Sequence, residues 1–265
     1  MVNLSRTFGL AMPVVLLIGS GPAAAQLTPH RALYQLSLAE AGGGLAQASG
    51  AFAIEWRAGC EGYTTQQRLW FQGATDDGGL FDSDVRFSSW ESADRTTLRF
   101  TMRSFAQGEV VEEFRGTATV PGDGMPGVAV YVLPEAGEMV LPPSTIFPTE
   151  HLRQLLATAK AGGQVVSHDV FDGSGHALDA LAAVTAIIGQ PSFPLEDEDE
   201  GELESWRVAL AYHDPSDFDA GVPVFELRFV LTEKGLMHDV HLDYGDFALK
   251  AKLDQMAWLP WPECP

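Results

Sequence analysis

The chain has 265 residues, with 16 Lys or Arg against 36 Asp or Glu, a formal charge of −20 and an apolar fraction of 46%. That length holds one large β domain or two small ones around a sizeable core. The acidity argues against nucleic acid or an anionic lipid surface as a direct ligand, because phosphates need a basic footprint to neutralise them.

Residues 1–25 read as an export signal: Arg6 is the basic n-region, Leu10 to Gly19 the apolar core, and Ala23-Ala24-Ala25 before Gln26 the small-residue cleavage pattern. Cleavage is expected between Ala25 and Gln26, leaving residues 26–265 as one domain with a formal charge near −21. Gln26, where a lipoprotein would carry cysteine, speaks against a lipid anchor. No later segment reaches the ~18 apolar residues of a membrane-spanning helix.

The first half of the mature chain reads as a β-meander. Strands are expected over Arg31 to Ser37, Gly50 to Ala58, Tyr63 to Phe71 and Asp82 to Glu91, with aromatic or aliphatic side chains at two-residue spacing. Ala41-Gly42-Gly43-Gly44 and Gly59-Cys60-Glu61-Gly62 separate the first three, so Cys60 sits at a hairpin end. Leu98 to Arg103, Glu109 to Val120 and Val128 to Leu133 continue the pattern, with turns at Gln107-Gly108 and around residues 121–127.

One helix interrupts it, within residues 141–163. Prolines keep the lead-in extended, Thr149 is placed as N-cap, Glu150 suits the positive end of the dipole, and Gly162-Gly163 is the stop. Leu152, Leu155, Leu156 and Ala159 form the apolar stripe, which strands must cover because almost every other segment of comparable length has period two. The expected fold is therefore mainly β, a sheet curved around one central helix.

Strands resume at Gln164 to Phe171. Residues 176–188 carry both helix and strand periodicity, and the all-β setting favours strand after residue 182. The five consecutive carboxylates from Glu196 to Glu200 read as a solvated loop whose spacing does not build a calcium site. Trp206 to Tyr212, Val224 to Leu231, Met237 to Tyr244 and Phe247 to Trp258 complete the strands.

Chemistry is harder to find. His238 and His241, three apart in an expected regular strand, point to opposite faces and cannot share an ion. His151, in the first helical turn, reads as a surface or satisfied side chain. Ser174 lies in Asp172-Gly-Ser-Gly175, which lacks the nucleophile-elbow spacing, and no glycine-rich phosphate loop with lysine occurs. Asp76, Asp77, Asp82 and Asp84 read as solvated hairpin-end carboxylates. Trp56, Trp70 and Trp90 with Phe52, Phe71 and Phe87 line either a core or an acyl-chain cavity. The two cysteines, Cys60 and Cys264, suit a disulfide in an oxidising compartment better than a metal site or a reactive thiol, since no second Cys or His stands at ligand spacing. No catalytic, metal or cofactor residue is read from the sequence.

Six segments in order carry a family resemblance: Thr28-Pro-His-Arg-Ala-Leu-Tyr34, Cys60-Glu-Gly-Tyr63, Phe147-Pro-Thr-Glu-His151, Val170-Phe-Asp-Gly-Ser174, Leu242-Asp-Tyr-Gly-Asp-Phe247 and the near-terminal Cys264. Together they resemble the EipB-like family of periplasmic cell-envelope integrity proteins, a domain of unknown function of Gram-negative bacteria. The resemblance implies a β-spiral, a long curled antiparallel sheet or open barrel around a helix, similar in outline to periplasmic lipoprotein carriers. It also implies a Cys60–Cys264 disulfide, no catalytic site, and a periplasmic tetratricopeptide-repeat partner. The function expected is envelope support through a partner protein or an amphiphilic ligand. The alternatives are a lipid or lipoprotein carrier and, less favoured, a periplasmic hydrolase.

Overall fold

The computed structural model describes residues 27–122, 124–175, 180–197, 201–215 and 221–264. The first eight strands are β1 (His30–Glu40), β2 (Leu45–Ala58), β3 (Gly62–Thr75), β4 (Leu80–Ser92), β5 (Thr97–Ala106), β6 (Glu109–Thr119), β7 (Gly127–Leu133) and β8 (Gly137–Leu141). Helix α1 (Pro148–Lys160) follows, then β9 (Val165–Phe171), β10 (Leu181–Asp197), β11 (Gly201–His213), β12 (Phe225–Thr232), β13 (Met237–Asp243) and β14 (Ala248–Trp258).

All fourteen strands form one antiparallel sheet in the order β8-β7-β6-β5-β4-β3-β2-β1-β14-β13-β12-β11-β10-β9. Every neighbouring pair except one is a consecutive hairpin; the exception is β1 with β14, which joins the two halves at the middle. The edges β8 and β9 do not pair with each other, so the curled sheet stays open. The chain crosses between those edges through residues 142–147 and α1. On arrival Ile146 adds a short parallel bridge to β9, with Ile146 N–H donating to Asp169 O (2.9 Å) and Phe171 N–H donating to Ile146 O (3.1 Å). That contact covers part of an edge whose unpaired main-chain groups would otherwise be open to pairing.

The curl is filled from inside. Leu155, Leu156 and Ala159 of α1 are buried, with Leu152 half-buried beside them, as the apolar stripe requires. They join Tyr34, Trp56, Val184, Val208, Phe229 and Leu231 in the larger core, and each fully buried leucine contributes about 2–3 kcal/mol of transfer free energy. A second core lies under β5–β8, where Leu98, Phe100, Tyr131 and Leu141 meet Phe147 from the helix entry and Phe171 from the end of β9. Two glycines make room for Phe100. A Cβ on Gly116 would lie 2.6 Å from its ring, and one on Gly173, whose φ is +73°, would lie 2.3 Å from it.

Several expectations change. Thr149 is not the N-cap: Phe147 holds that position in extended conformation, and Pro148 starts the helix without a side-chain cap. Glu196 and Asp197 belong to β10, paired with Glu202 and Gly201, rather than to an open loop; residues 198–200 lie outside the described residues. Asp84 is in mid-strand and buried, not solvated at a hairpin end. Strand β8, five residues long, had no expectation at all.

Candidate functional site on the concave face

The helix entry is where polar groups are buried. The first N–H groups of a helix have no partner within it, and here no local side chain caps them. The partner comes from the end of β4: Thr149 N–H donates to both carboxyl oxygens of Glu91 (3.0 and 3.1 Å), and Thr149 Oγ1–H donates to Oε1 (2.7 Å). Glu91 therefore caps α1 from 58 residues away in sequence. Its carboxyl is only 4% exposed, and this burial pushes it up to about 7 despite the two donors and the positive end of the helix.

Aromatic and cationic groups close the junction. Trp56 Nε1–H points to Thr149 Oγ1 (3.5 Å), the Trp56 and Tyr63 rings stack with centroids 5.2 Å apart, and the Arg153 guanidinium lies 4.4 Å over Tyr63. Arg95, in the β4–β5 turn, reaches Glu150 at 3.1 Å. On the β9 side of the helix His151 meets His168 edge to face, 5.8 Å between centroids. Burial, then the facing His168, drives His151 down to about 4. The Nε2 atoms of both rings are buried without a hydrogen-bond partner. His151 is thus neither on the surface nor satisfied. Glu91, Thr149 and His151 are each at most 6% exposed, so this polar cluster is sealed, and no substrate could reach it in this conformation.

Away from the helix, the same inner face becomes apolar and partly open. Residue pairing places Phe52, Leu69, Phe71 and Val85 inward from β2–β4, and Tyr212, Phe225, Leu227 and Leu242 inward from β11–β13. All are half-buried. Tyr34 stacks on Phe52 (5.5 Å), Phe71 meets Phe81 edge-on (5.9 Å), and Phe225 bridges Tyr212 (5.3 Å) and Tyr244 (5.0 Å). The aromatics weighed in the sequence divide accordingly. Trp56 is core, Phe52 and Phe71 line the open wall, and Trp70 and Trp90 lie on the opposite, outer face, paired in register with Asp84 and Thr64.

On that outer face Asp84 receives Arg68 through two hydrogen bonds (2.8 and 2.9 Å) and Arg86 through another at 2.6 Å. Arg68 first, with Arg86, holds the carboxyl down at about 2. His238 and His241 also share the outer face. A bulge at Asp239, φ +51°, sets two residues against one of β12, so His241 pairs with Arg228 and His238 with Val230. The opposite-face expectation fails for that reason. Even so, among the described residues no three His, Cys, Asp or Glu side chains gather to hold a metal. Cys60, in the β2–β3 turn, is bonded to Cys264, their Cα atoms 5.6 Å apart, which ties the tail after β14 to the turn beside β2.

The sequence matches the EipB-like family over residues 22–260. The chain belongs to the EipB-like family. It is 32% identical over 243 residues to the cell envelope integrity protein EipB of Brucella abortus (strain 2308), covering 88% of this chain and 85% of that protein. A crystal structure of a β-barrel-like protein of a domain of unknown function from Brucella abortus superposes with a TM-score of 0.81 at 30% identity, covering 89% of this chain and 99% of that one. The EipB-like fold thus extends over the curled sheet and its helix together. No helix among the described residues is long and apolar enough to cross a membrane.

Proposed function

We propose that this EipB-like protein is exported to the periplasm by residues 1–25, cut between Ala25 and Gln26, and works from residues 26–265 as a non-catalytic binding protein supporting cell-envelope integrity. The name of the Brucella relative supports the envelope role. The observation that carries the binding reading is the half-buried aromatic and aliphatic wall beside α1. Apolar side chains left part-exposed on a concave surface are suited to an acyl chain or to an apolar segment of a partner. A periplasmic tetratricopeptide-repeat protein is the partner class that the family resemblance implies. A carrier of lipid or lipoprotein is the nearest alternative and would use the same wall. Hydrolysis is disfavoured by the sealing of Glu91, Thr149 and His151.

The test is native mass spectrometry and lipid extraction on mature protein purified from the periplasm, beside the double variant Phe71→Glu, Leu227→Glu. A stoichiometric amphiphile on the wild type that is lost from the variant supports the ligand reading. A protein partner recovered without lipid, and lost from the same variant, makes the wall a protein interface. If neither is recovered, or the variant retains what the wild type binds, the concave wall is not the site.

A further inference from the structure

The net charge of −20 conceals a basic face. On the outer surface Arg68, Arg86 and Arg103 stand side by side on β3, β4 and β5, each paired in register with the next. Arg31, Arg57, Arg99 and Arg115 occupy neighbouring outward positions on β1, β2, β5 and β6. Lys250 and Lys252 extend the surface onto β14. The carboxylates sharing this face are Glu40, Glu55, Asp82, Asp84, Glu113 and Asp254, so cations outnumber anions by nine to six within a strongly acidic protein.

This face is hollowed. A trough of about 720 Å³ runs across β14 and β1–β5, with the row Arg68, Arg86, Arg103 on one wall and Gln66, Ser88 and Thr101 on the other, where Glu55, an ion-pair partner of Arg57, is the one lining carboxylate among the described residues. Arg31 and Gln255 stand toward the β14 end, and Phe105, under the Arg86 guanidinium at 4.6 Å, stands toward the β5 end. Six strands at ~4.8 Å make it about 24 Å long, the span of roughly seven residues of extended peptide.

We propose that this trough docks an extended acidic peptide segment of a partner protein, its carboxylates on the arginine row and its main chain against the Gln, Ser and Thr wall. The protein already shows the pairing it would use: Arg68 grips Asp84 through Nε and Nη2, and Arg103 holds Glu113 at 2.7 Å, leaving further guanidinium N–H groups on each. Shape selects a narrow chain over an anionic bilayer. Acidic turns flank the face at both strand ends, Glu61 and Asp94 at one, Asp76, Asp77 and Glu109 at the other. A planar anionic surface would meet those carboxylates, whereas a single chain lies between them.

The test is fluorescence anisotropy of a labelled twelve-residue peptide of alternating Glu and Ser against mature protein at low and physiological salt, with Lys-Ser peptide and anionic phospholipid vesicles as the other probes. Saturable binding of the Glu-Ser peptide that weakens with salt is expected, with none for Lys-Ser. Arg31→Gln with Arg103→Gln should reduce its affinity at least fivefold. Arg207→Gln with Lys160→Gln, equal in charge and off the trough, should change it less than twofold. Should the trough variant melt early, Arg31→Gln alone, which breaks no ion pair among the described residues, should still cost at least twofold. Absence of Glu-Ser binding, equal losses in the two double variants, no loss in the single one, or binding to vesicles in preference to peptide would overturn the proposal.

Discussion

Replacing Glu91 by Gln tests the helix-entry junction, and the answer depends on pH. In the unfolded chain Glu91 titrates near 4.5; in the folded protein burial raises it to about 7. Below 4.5 the carboxyl is protonated in both states and its contribution to stability is complete. Between 4.5 and 7 the unfolded chain gives up the proton while the folded protein keeps it, and above 7 the contribution is gone. The difference amounts to about 3 kcal/mol, at about 1.4 kcal/mol per pKa unit. A neutral glutamine keeps an acceptor for Thr149 and does not titrate. Glu91→Gln should therefore match the wild type within about 1 kcal/mol at pH 4.5 and gain on it by about 3 kcal/mol at pH 8, roughly 6 °C in Tm for a chain of this size. Urea unfolding of both proteins across that range gives the difference directly, and because each pair of measurements shares all other titrations, only Glu91 contributes to its slope. A difference that stays constant with pH, or a variant that loses ground as pH rises, would show that the helix end and the Thr149 donors outweigh burial.

His151 should give the opposite slope. Its folded value of about 4 lies below the unfolded 6.5, so its contribution is complete above 6.5 and is lost as pH falls toward 4; His151→Leu should gain about 3 kcal/mol on the wild type between pH 7 and pH 4, measured by the same unfolding series. Gly173→Ala should cost at least 2 kcal/mol, because its φ is +73° and its Cβ would enter the Phe100 ring; in a double-mutant cycle Phe100→Ala should recover part of the loss, and full additivity would refute the contact. Cys60→Ser or Cys264→Ser should lower Tm and expose the tail beyond Trp258 to carboxypeptidase. The chain-entropy limit for the loop of 204 residues is about 5 kcal/mol, and a Tm indifferent to reductant would remove the disulfide from the stability account.

What the sequence made legible was whatever is encoded locally. Alternating side chains located thirteen of the strands, since each needs only its own period and a turn, and the stripe Leu152, Leu155, Leu156, Ala159 located the helix. Strand β8 escaped because Gly137–Leu141 is a short edge strand with exposed Glu138 and Val140 and no alternation to read. Glu91 escaped for a different reason: its role is set by Thr149, and nothing in Trp90-Glu91-Ser92 announces a partner 58 residues on. The His238 and His241 geometry was misread because a bulge residue shifts the period by one, and Asp239 does not stand out as a bulge former. The basic trough was invisible to net charge, which sums over the acidic turns and the outer strands alike.

The meeting of β1 and β14 at the centre of the sheet has a kinetic consequence. Twelve of the thirteen strand pairings are hairpins between neighbours in sequence, and this seam is the one pairing that joins the first strand to the last. Loop-closure entropy is therefore concentrated in one late event rather than spread over the fold. A growing chain can hold two half-sheets but cannot join them until its last strand has emerged, so the order of assembly follows the direction in which the chain arrives.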